Sequence, residues 1–140
     1  MLRFKGSIVP KKLIVVQGIS NSGKTSSIIE FMKSHRNVNV VPFPALITLP
    51  IQKSGNWILG VAKDGDSAQN VRDAVALFGT YNCDIVVCAT KSYGASVSAL
   101  NSFAAANPAI TIVRIASTWV ATGHAAANSL VASAIESHIP

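Results

Sequence analysis

The sequence predicts an α/β protein, a three-layer sandwich in which helices cover both faces of a mostly parallel β-sheet. Two observations favour this fold. Apolar runs of strand length alternate along the chain with segments whose apolar residues recur at helical spacing, and this alternation is typical of parallel sheets. In addition, residues 84–89 are apolar at nearly every position, as expected of a central strand that is covered on both faces.

The first half of the chain begins with a strand at residues 13–16, followed by a glycine-rich loop and a helix at 25–35. Residues 37–41 are β-branched and predict a short strand. Two further apolar runs flank the segment 50–56, which contains Ser-Gly-Asn. Because such a turn joins antiparallel strands, the sequence predicts a β-hairpin within residues 45–62.

The second half returns to helical spacing. Ser67 is the expected N-cap of a helix that Gly79 would terminate. After the strand at 84–89, the pattern predicts a helix at 96–106, a strand at 109–116 and a closing helix at 125–137. In the closing helix the residues expected to face inward are Leu130, Val131, Ala134 and Ile135.

Length and composition indicate one domain over residues 1–140. Hydrophobic residues make up 49% of the chain and charged residues 13%, but no apolar run approaches the roughly 18 residues that a membrane span needs. We therefore expect a cytoplasmic protein without a membrane partner. Cys83 and Cys88 have no metal-ligand spacing and are expected to be buried, reduced thiols.

The net charge of +6 comes from 12 basic and 6 acidic residues. The basic residues cluster only near the start of the chain, at Arg3, Lys5, Lys11 and Lys12. Two interpretations remain open. The cluster is either a solvated basic N-terminus or a surface that contacts nucleic acid.

Residues 18–25 form the pattern G-x-x-x-x-G-K-T between a predicted strand and a predicted helix. In this context the pattern is a phosphate-binding loop, or P-loop, whose successive N–H groups surround an anion. Lys24 would bring positive charge to the β- and γ-phosphates, and the hydroxyl of Thr25 would bind Mg²⁺. The residues expected to contact the nucleotide are Gly18, Asn21, Ser22, Gly23, Lys24, Thr25 and Ser26.

A P-loop enzyme also needs an acidic residue at the end of an apolar strand, where it holds magnesium or polarises the attacking water. Asp64 follows the apolar run at 57–62 and is the first choice, as a catalytic and metal-binding residue, and Asp66 is the second. Alternatively, Asp-Gly-Asp-Ser only closes a turn and caps the next helix. Asp84 begins its strand and is therefore expected at the opposite edge of the sheet.

Thr90 and Lys91 follow the predicted central strand, where a hydroxyl or a second ammonium group could meet the γ-phosphate. An ordinary polar loop would have the same composition. Tyr93 occupies the position at which a guanine-recognition motif carries aspartate, which weakens a GTPase interpretation. Arg72 and Arg114 are further phosphate stabilisers by residue type, but both are expected to be structural.

Residues 13–27 resemble the P-loop nucleoside triphosphatase superfamily. This resemblance implies a strand–loop–helix core that binds ATP or GTP with Mg²⁺. The remainder is similar to short ATP-binding proteins of bacteria and their viruses. The chain differs from the larger motors and switches of the superfamily in lacking an arginine-rich lid, a D-x-x-G switch and an evident arginine finger.

Three functions follow as hypotheses. The first is an ATPase or ATP-switched protein that a protein or nucleic-acid partner activates. The second is a small kinase, with the loop around Lys53 or Lys91 closing over a nucleotide or metabolite acceptor. The third is a non-catalytic module that the nucleotide stabilises.

Overall fold

The computed structural model describes residues 11–19, 23–36, 47–52, 56–62, 64–117 and 123–139. The strand predicted at residues 37–41 lies outside these ranges. In chain order the elements are β1 (Lys12–Gln17), α1 (Lys24–Arg36), β2 (Ile47–Gln52), β3 (Asn56–Val61), α2 (Ala68–Val75), α3 (Leu77–Thr80), β4 (Ile85–Thr90), α4 (Ala95–Ala106), β5 (Thr111–Ala116) and α5 (His124–Ser137).

The strands form one sheet in the order β2-β3-β4-β1-β5. Strands β3, β4, β1 and β5 are parallel, and β2 pairs antiparallel with β3. The predicted mostly parallel sheet is confirmed, as is the hairpin within residues 45–62. The hairpin therefore supplies the one antiparallel strand at the described edge of the sheet.

Helices cover the two faces of this sheet with two separate cores. In β1, Ile14 and Val16 belong to the core beneath α1 and α5, whereas Leu13 and Val15 belong to the core beneath α2, α3 and α4. This division follows because successive side chains of a strand point to opposite faces. The predicted three-layer sandwich is confirmed.

Strand β4 occupies the middle of the sheet, and all six of its side chains are buried. Its β-branched, apolar sequence suits a strand that is covered on both faces. Cys88 lies within β4 and Cys83 just before it, and both are buried cysteines outside any disulfide, as predicted. Burial raises the pKa of Cys88 to about 12.

The predicted turn at residues 50–56 is too long, because Pro50 lies within β2. Proline has no N–H to donate and is therefore tolerated mainly in edge strands. Strand β2 is at the edge of the described sheet. The backbone groups on its outer side therefore pair with no described strand. Proline therefore does not end the strand here.

The helix after β3 also differs from the prediction. Ser67 is its N-cap, as predicted, and accepts a hydrogen bond from the backbone N–H of Asn70 at 3.1 Å. However, α2 ends at Val75, and Gly79 lies inside α3 rather than terminating the helix. Leu77 and Phe78 at the start of α3 are both buried.

The buried face of α5 is rotated from the predicted one. Leu130 is 74% exposed, whereas Ala132 and Ile135 are buried. Residues two apart in a helix lie on nearly opposite sides, so burying Ala132 turns Leu130 outward. The small alanine lets α5 approach the sheet and α1 closely, which hydrophobicity alone does not predict.

None of the helices in the described part of the chain combines the length and the apolar character that a membrane span requires.

Candidate functional site

A crevice is expected where β1 and β4 meet, because these neighbouring strands send their following helices to opposite faces. Strand β1 continues into α1 on one face and β4 into α4 on the other. Ligands of open α/β sheets bind at such a divergence, beyond the carboxyl ends of the strands. Here the N–H of Gly18 donates to the carbonyl of Thr90 at 3.1 Å, which joins the predicted phosphate loop to the end of the central strand.

Gly23 precedes α1 in a conformation that favours glycine, with φ of +93°. A Cβ atom at this position would also lie 3.0 Å from Oδ1 of Asn128. Both the backbone angle and the neighbouring side chain therefore favour glycine. The predicted nucleotide contacts Asn21 and Ser22 lie outside the described residues.

Lys24 begins α1 and is buried, with 6% of its side chain exposed. Its ammonium group donates to the carbonyl of Gly18 at 2.8 Å and to that of Ile19 at 3.1 Å. It also lies 3.2 Å from Oδ1 of Asp66. The lysine therefore folds back over its own loop, where three oxygen atoms compensate the charge that burial desolvates.

Gly65 brings the loop after β3 into direct contact with β4. A Cβ atom at Gly65 would lie 1.7 Å from the carbonyl oxygen of Ala89, so no side chain fits between the two backbones. This close approach carries Asp66 to Lys24 across the end of the intervening strand. The sequence pattern around Gly65 predicts a turn but not this packing role.

The predicted magnesium ligands both lie at the edge of the sheet that is formed by the carboxyl ends of the parallel strands. Thr25 is half-buried in the first turn of α1, next to the exposed Ser26, and Asp64 is half-buried after β3. Asp84 lies at the opposite edge, as predicted, where its Oδ2 accepts a hydrogen bond from the N–H of Ile58 at 3.0 Å. That carboxylate joins β3 to the start of β4.

Thr90 is fully buried at the end of β4. Its hydroxyl donates to the carbonyl of Lys91 at 2.8 Å, and the N–H of Lys91 donates to the side chain of Ser96. The ammonium group of Lys91 lies 5.9 Å from the centre of the Tyr93 ring. The loop after β4 is therefore ordered by its own contacts beside the crevice.

The other predicted cationic groups make contacts away from the phosphate loop. Arg72 donates to Gln69 within α2, and Arg114 donates to Asn101 of α4. Lys11 and Lys12 donate to the backbone carbonyls of Cys83 and His138. Within the described ranges, His, Cys, Asp and Glu side chains form no group of three that could hold a metal ion.

Sequence reasoning missed Asn128. This residue lies on α5, where its Oδ1 accepts a hydrogen bond from the hydroxyl of Ser27 at 3.2 Å and closely approaches Gly23. The one signal in the sequence is an amide within an alanine-rich helix. That signal does not indicate which helix the amide would contact.

No protein-family model matches the chain, and no curated protein or solved structure is significantly similar to it.

Proposed function

We propose that the protein is a P-loop nucleoside triphosphatase that binds ATP, or alternatively GTP, together with Mg²⁺. It would hydrolyse the nucleotide or be switched by it. The observation that carries this proposal is the setting of Lys24. A buried ammonium group is held over the loop by the carbonyls of Gly18 and Ile19, at the start of a helix. Helix N-termini and converging N–H groups favour anions.

Magnesium would be held by oxygen atoms, which are the ligands that this hard cation prefers. In the proposed site these come from the hydroxyl of Thr25 and the carboxylate of Asp64, together with phosphate oxygens of the nucleotide. Asp66 is the catalytic candidate that would orient or polarise the attacking water, and Thr90 is the candidate whose hydroxyl would meet the γ-phosphate. The contact of Asp66 with Lys24 supports its membership of the site.

The positions of the arginine side chains favour an enzyme that depends on a partner. Arg36 is paired with Glu136, and Arg72 and Arg114 donate to polar side chains on helices. None of these described arginines contacts the phosphate loop. Since an arginine supplied by a partner accelerates hydrolysis in many P-loop proteins, slow intrinsic turnover is expected.

The kinase hypothesis receives less support from the hairpin. Lys53 lies outside the described residues, and its flanking residues Gln52 and Asn56 pair at the far end of β3 from Asp64. Asn56 begins β3, at the amino ends of the parallel strands, whereas Lys24 follows the carboxyl end of β1. Among the described residues, the loop at Lys91 is the candidate for a lid over the phosphate site.

The proposal is tested by following ATP consumption with Mg²⁺ while ADP and free phosphate are measured separately. The assay is repeated with GTP, with nucleoside monophosphates and with DNA. Lys24→Ala is the inactive variant. Lys33→Ala is its matched control, because Lys33 is an exposed lysine on the same helix.

Phosphate released in step with ADP in wild type and Lys33→Ala, but lost in Lys24→Ala, would support the triphosphatase. ADP without free phosphate would indicate transfer to an acceptor, and tight binding without turnover would indicate a non-catalytic module. Equal binding of nucleotide by wild type and Lys24→Ala in a calorimetric titration would contradict the phosphate-loop assignment.

A further inference from the structure

We infer that Asn128 is a positioning residue for the phosphate loop, acting through Gly23 and through Ser27 in the first turns of α1. The identity of the loop's ligand, a triphosphate, rests on the proposed function. The geometry of Asn128 does not, because its contacts are with Ser27 and Gly23 of the protein itself. The inference assigns α5 a part in the site that neither the loop pattern nor the acidic residues require.

The first observation is the hydrogen bond between α1 and α5. The hydroxyl of Ser27, which is 1% exposed, donates to Oδ1 of Asn128 at 3.2 Å. Ser27 in turn donates its backbone N–H to the carbonyl of Gly23 at 2.8 Å. Asn128 is therefore connected to the last glycine of the phosphate loop through one turn of helix.

The second observation is the direct approach of the same oxygen atom to Gly23. A Cβ atom on Gly23 would lie 3.0 Å from Oδ1 of Asn128 and 3.9 Å from Oγ of Ser117. The carboxamide therefore packs against the loop at the point where its backbone adopts a positive φ angle. A shift of the carboxamide would therefore change the space available to the backbone at Gly23.

The third observation is where the polar pair lies along the two helices. Between this pair and the Arg36–Glu136 ion pair at the far end, the α1–α5 contact buries one apolar core, which contains Ile28, Phe31 and Met32 of α1 and Ala132 and Ile135 of α5. Asn128 precedes Ala132 by four residues and so lies on the same side of α5. The Ser27–Asn128 pair thus lies at the end of the contact that meets the phosphate loop.

A polar pair at this point is not needed to hold the helices together. At the far end of the contact, Arg36 donates to both carboxylate oxygens of Glu136, at 2.6 and 2.7 Å. Apolar residues of similar size generally stabilise a helix contact as well as a polar pair does. The placement of Asn128 is therefore better explained by the loop that it contacts.

The test compares Asn128→Ala and Asn128→Asp with wild type and with Ser129→Ala, an exposed neighbour on the same helix. Affinities for Mg-ATP and for inorganic pyrophosphate are measured by calorimetry, and thermal unfolding is measured in parallel. Because the residue acts on the loop and not on the base, Asn128→Ala should weaken both ligands by the same factor, about tenfold.

Asn128→Asp separates positioning from general stability. An ionised carboxylate beside Gly23 repels phosphate, whereas the protonated acid has the shape and the neutrality of the amide. The affinity of Asn128→Asp relative to wild type should therefore recover as the pH falls from about 8 to about 3, below the ordinary aspartate pKa of about 3.9. A ratio that stays constant over this range would overturn the inference, as would unchanged affinity in both variants.

A second measurement makes the inference independent of the proposed function. Amide hydrogen exchange at Gly23 and Lys24 is followed without nucleotide, and Asn128→Ala should accelerate it while Ser129→Ala should not. If wild type binds no triphosphate but exchange at Gly23 still depends on Asn128, the proposed function fails and the positioning role remains. Exchange that is the same in all variants would overturn the positioning role.

Discussion

The ammonium group of Lys24 lies 3.2 Å from a carboxylate oxygen of Asp66, and the two side chains are 6% and 59% exposed. The lysine is thus fixed in the protein, while the carboxylate reaches it from solvent. An incoming phosphate carries the same sign of charge as Asp66 and would compete for the same ammonium group. The ion pair therefore links the proposed ligand site to the loop after β3.

Replacing Asp66 should strengthen the binding of a metal-free anion. In Asp66→Asn, affinity for inorganic pyrophosphate without Mg²⁺ should rise about threefold, since an ion pair with one exposed partner contributes about 1 kcal/mol or less. Calorimetric titration measures this change. Asp73→Asn is the control, because Asp73 is an exposed carboxylate on α2 that accepts a hydrogen bond from Gln69. Weaker pyrophosphate binding by Asp66→Asn would contradict the competition.

Asp64 follows the carboxyl end of β3, whereas Asp84 precedes β4. Replacing each carboxylate with a neutral amide should therefore have a different effect. Asp64→Asn should reduce Mg²⁺-dependent nucleotide binding and leave thermal unfolding nearly unchanged. Asp84→Asn should leave nucleotide binding intact and lower the free energy of unfolding by about 1 kcal/mol, because the carboxylate accepts the N–H of Ile58. Titrations with and without Mg²⁺ measure the first effect. The opposite order would show that Asp64 is not the magnesium ligand.

Adding one methyl group at Gly65 should disturb the site and the fold together. The new Cβ atom would overlap the backbone of Ala89 and Thr90, so Gly65→Ala should destabilise the protein by about 3 kcal/mol or more. Gly79→Ala is the matched control, because a Cβ atom there meets nothing within 4 Å in α3. It should stabilise the protein by about 0.5 kcal/mol. Denaturant unfolding that ranks the two variants the other way would refute the close approach.

Stability should fall in alkaline solution through Cys88. Burial raises the pKa of this thiol from 9.0 to about 12, so above pH 9 the unfolded chain loses a proton that the folded chain keeps. The contribution of Cys88 to the free energy of unfolding is therefore constant below pH 9 and declines by up to about 1.4 kcal/mol per pH unit above it. Unfolding of wild type and Cys88→Ala between pH 8 and pH 11 isolates the effect. Identical pH dependences would contradict it.

The elements were predictable because each is encoded in consecutive residues. Helices α4 and α5 begin within one residue of their predicted starts, and the run of apolar residues in β4 indicated its central position. Predictions were wrong where a single residue type was taken to decide a boundary or a face. Pro50 is accommodated by the edge of the sheet, and Leu130 is exposed because α5 buries the smaller Ala132 instead.

By itself, the sequence determined the alternation of strands and helices and the G-x-x-x-x-G-K-T pattern that predicts a phosphate loop, since hydrophobic period and glycine spacing are local properties. The tertiary structure alone decided which distant residues meet that loop. Ser27 and Asn128 are 101 residues apart, and their contact exists because β5 lies beside β1 and returns α5 onto α1. Likewise, Asp66 reaches Lys24 because Gly65 lets the loop after β3 pack directly against the backbone of β4. Strand order and close backbone packing arise from the whole sheet, and no local pattern encodes them.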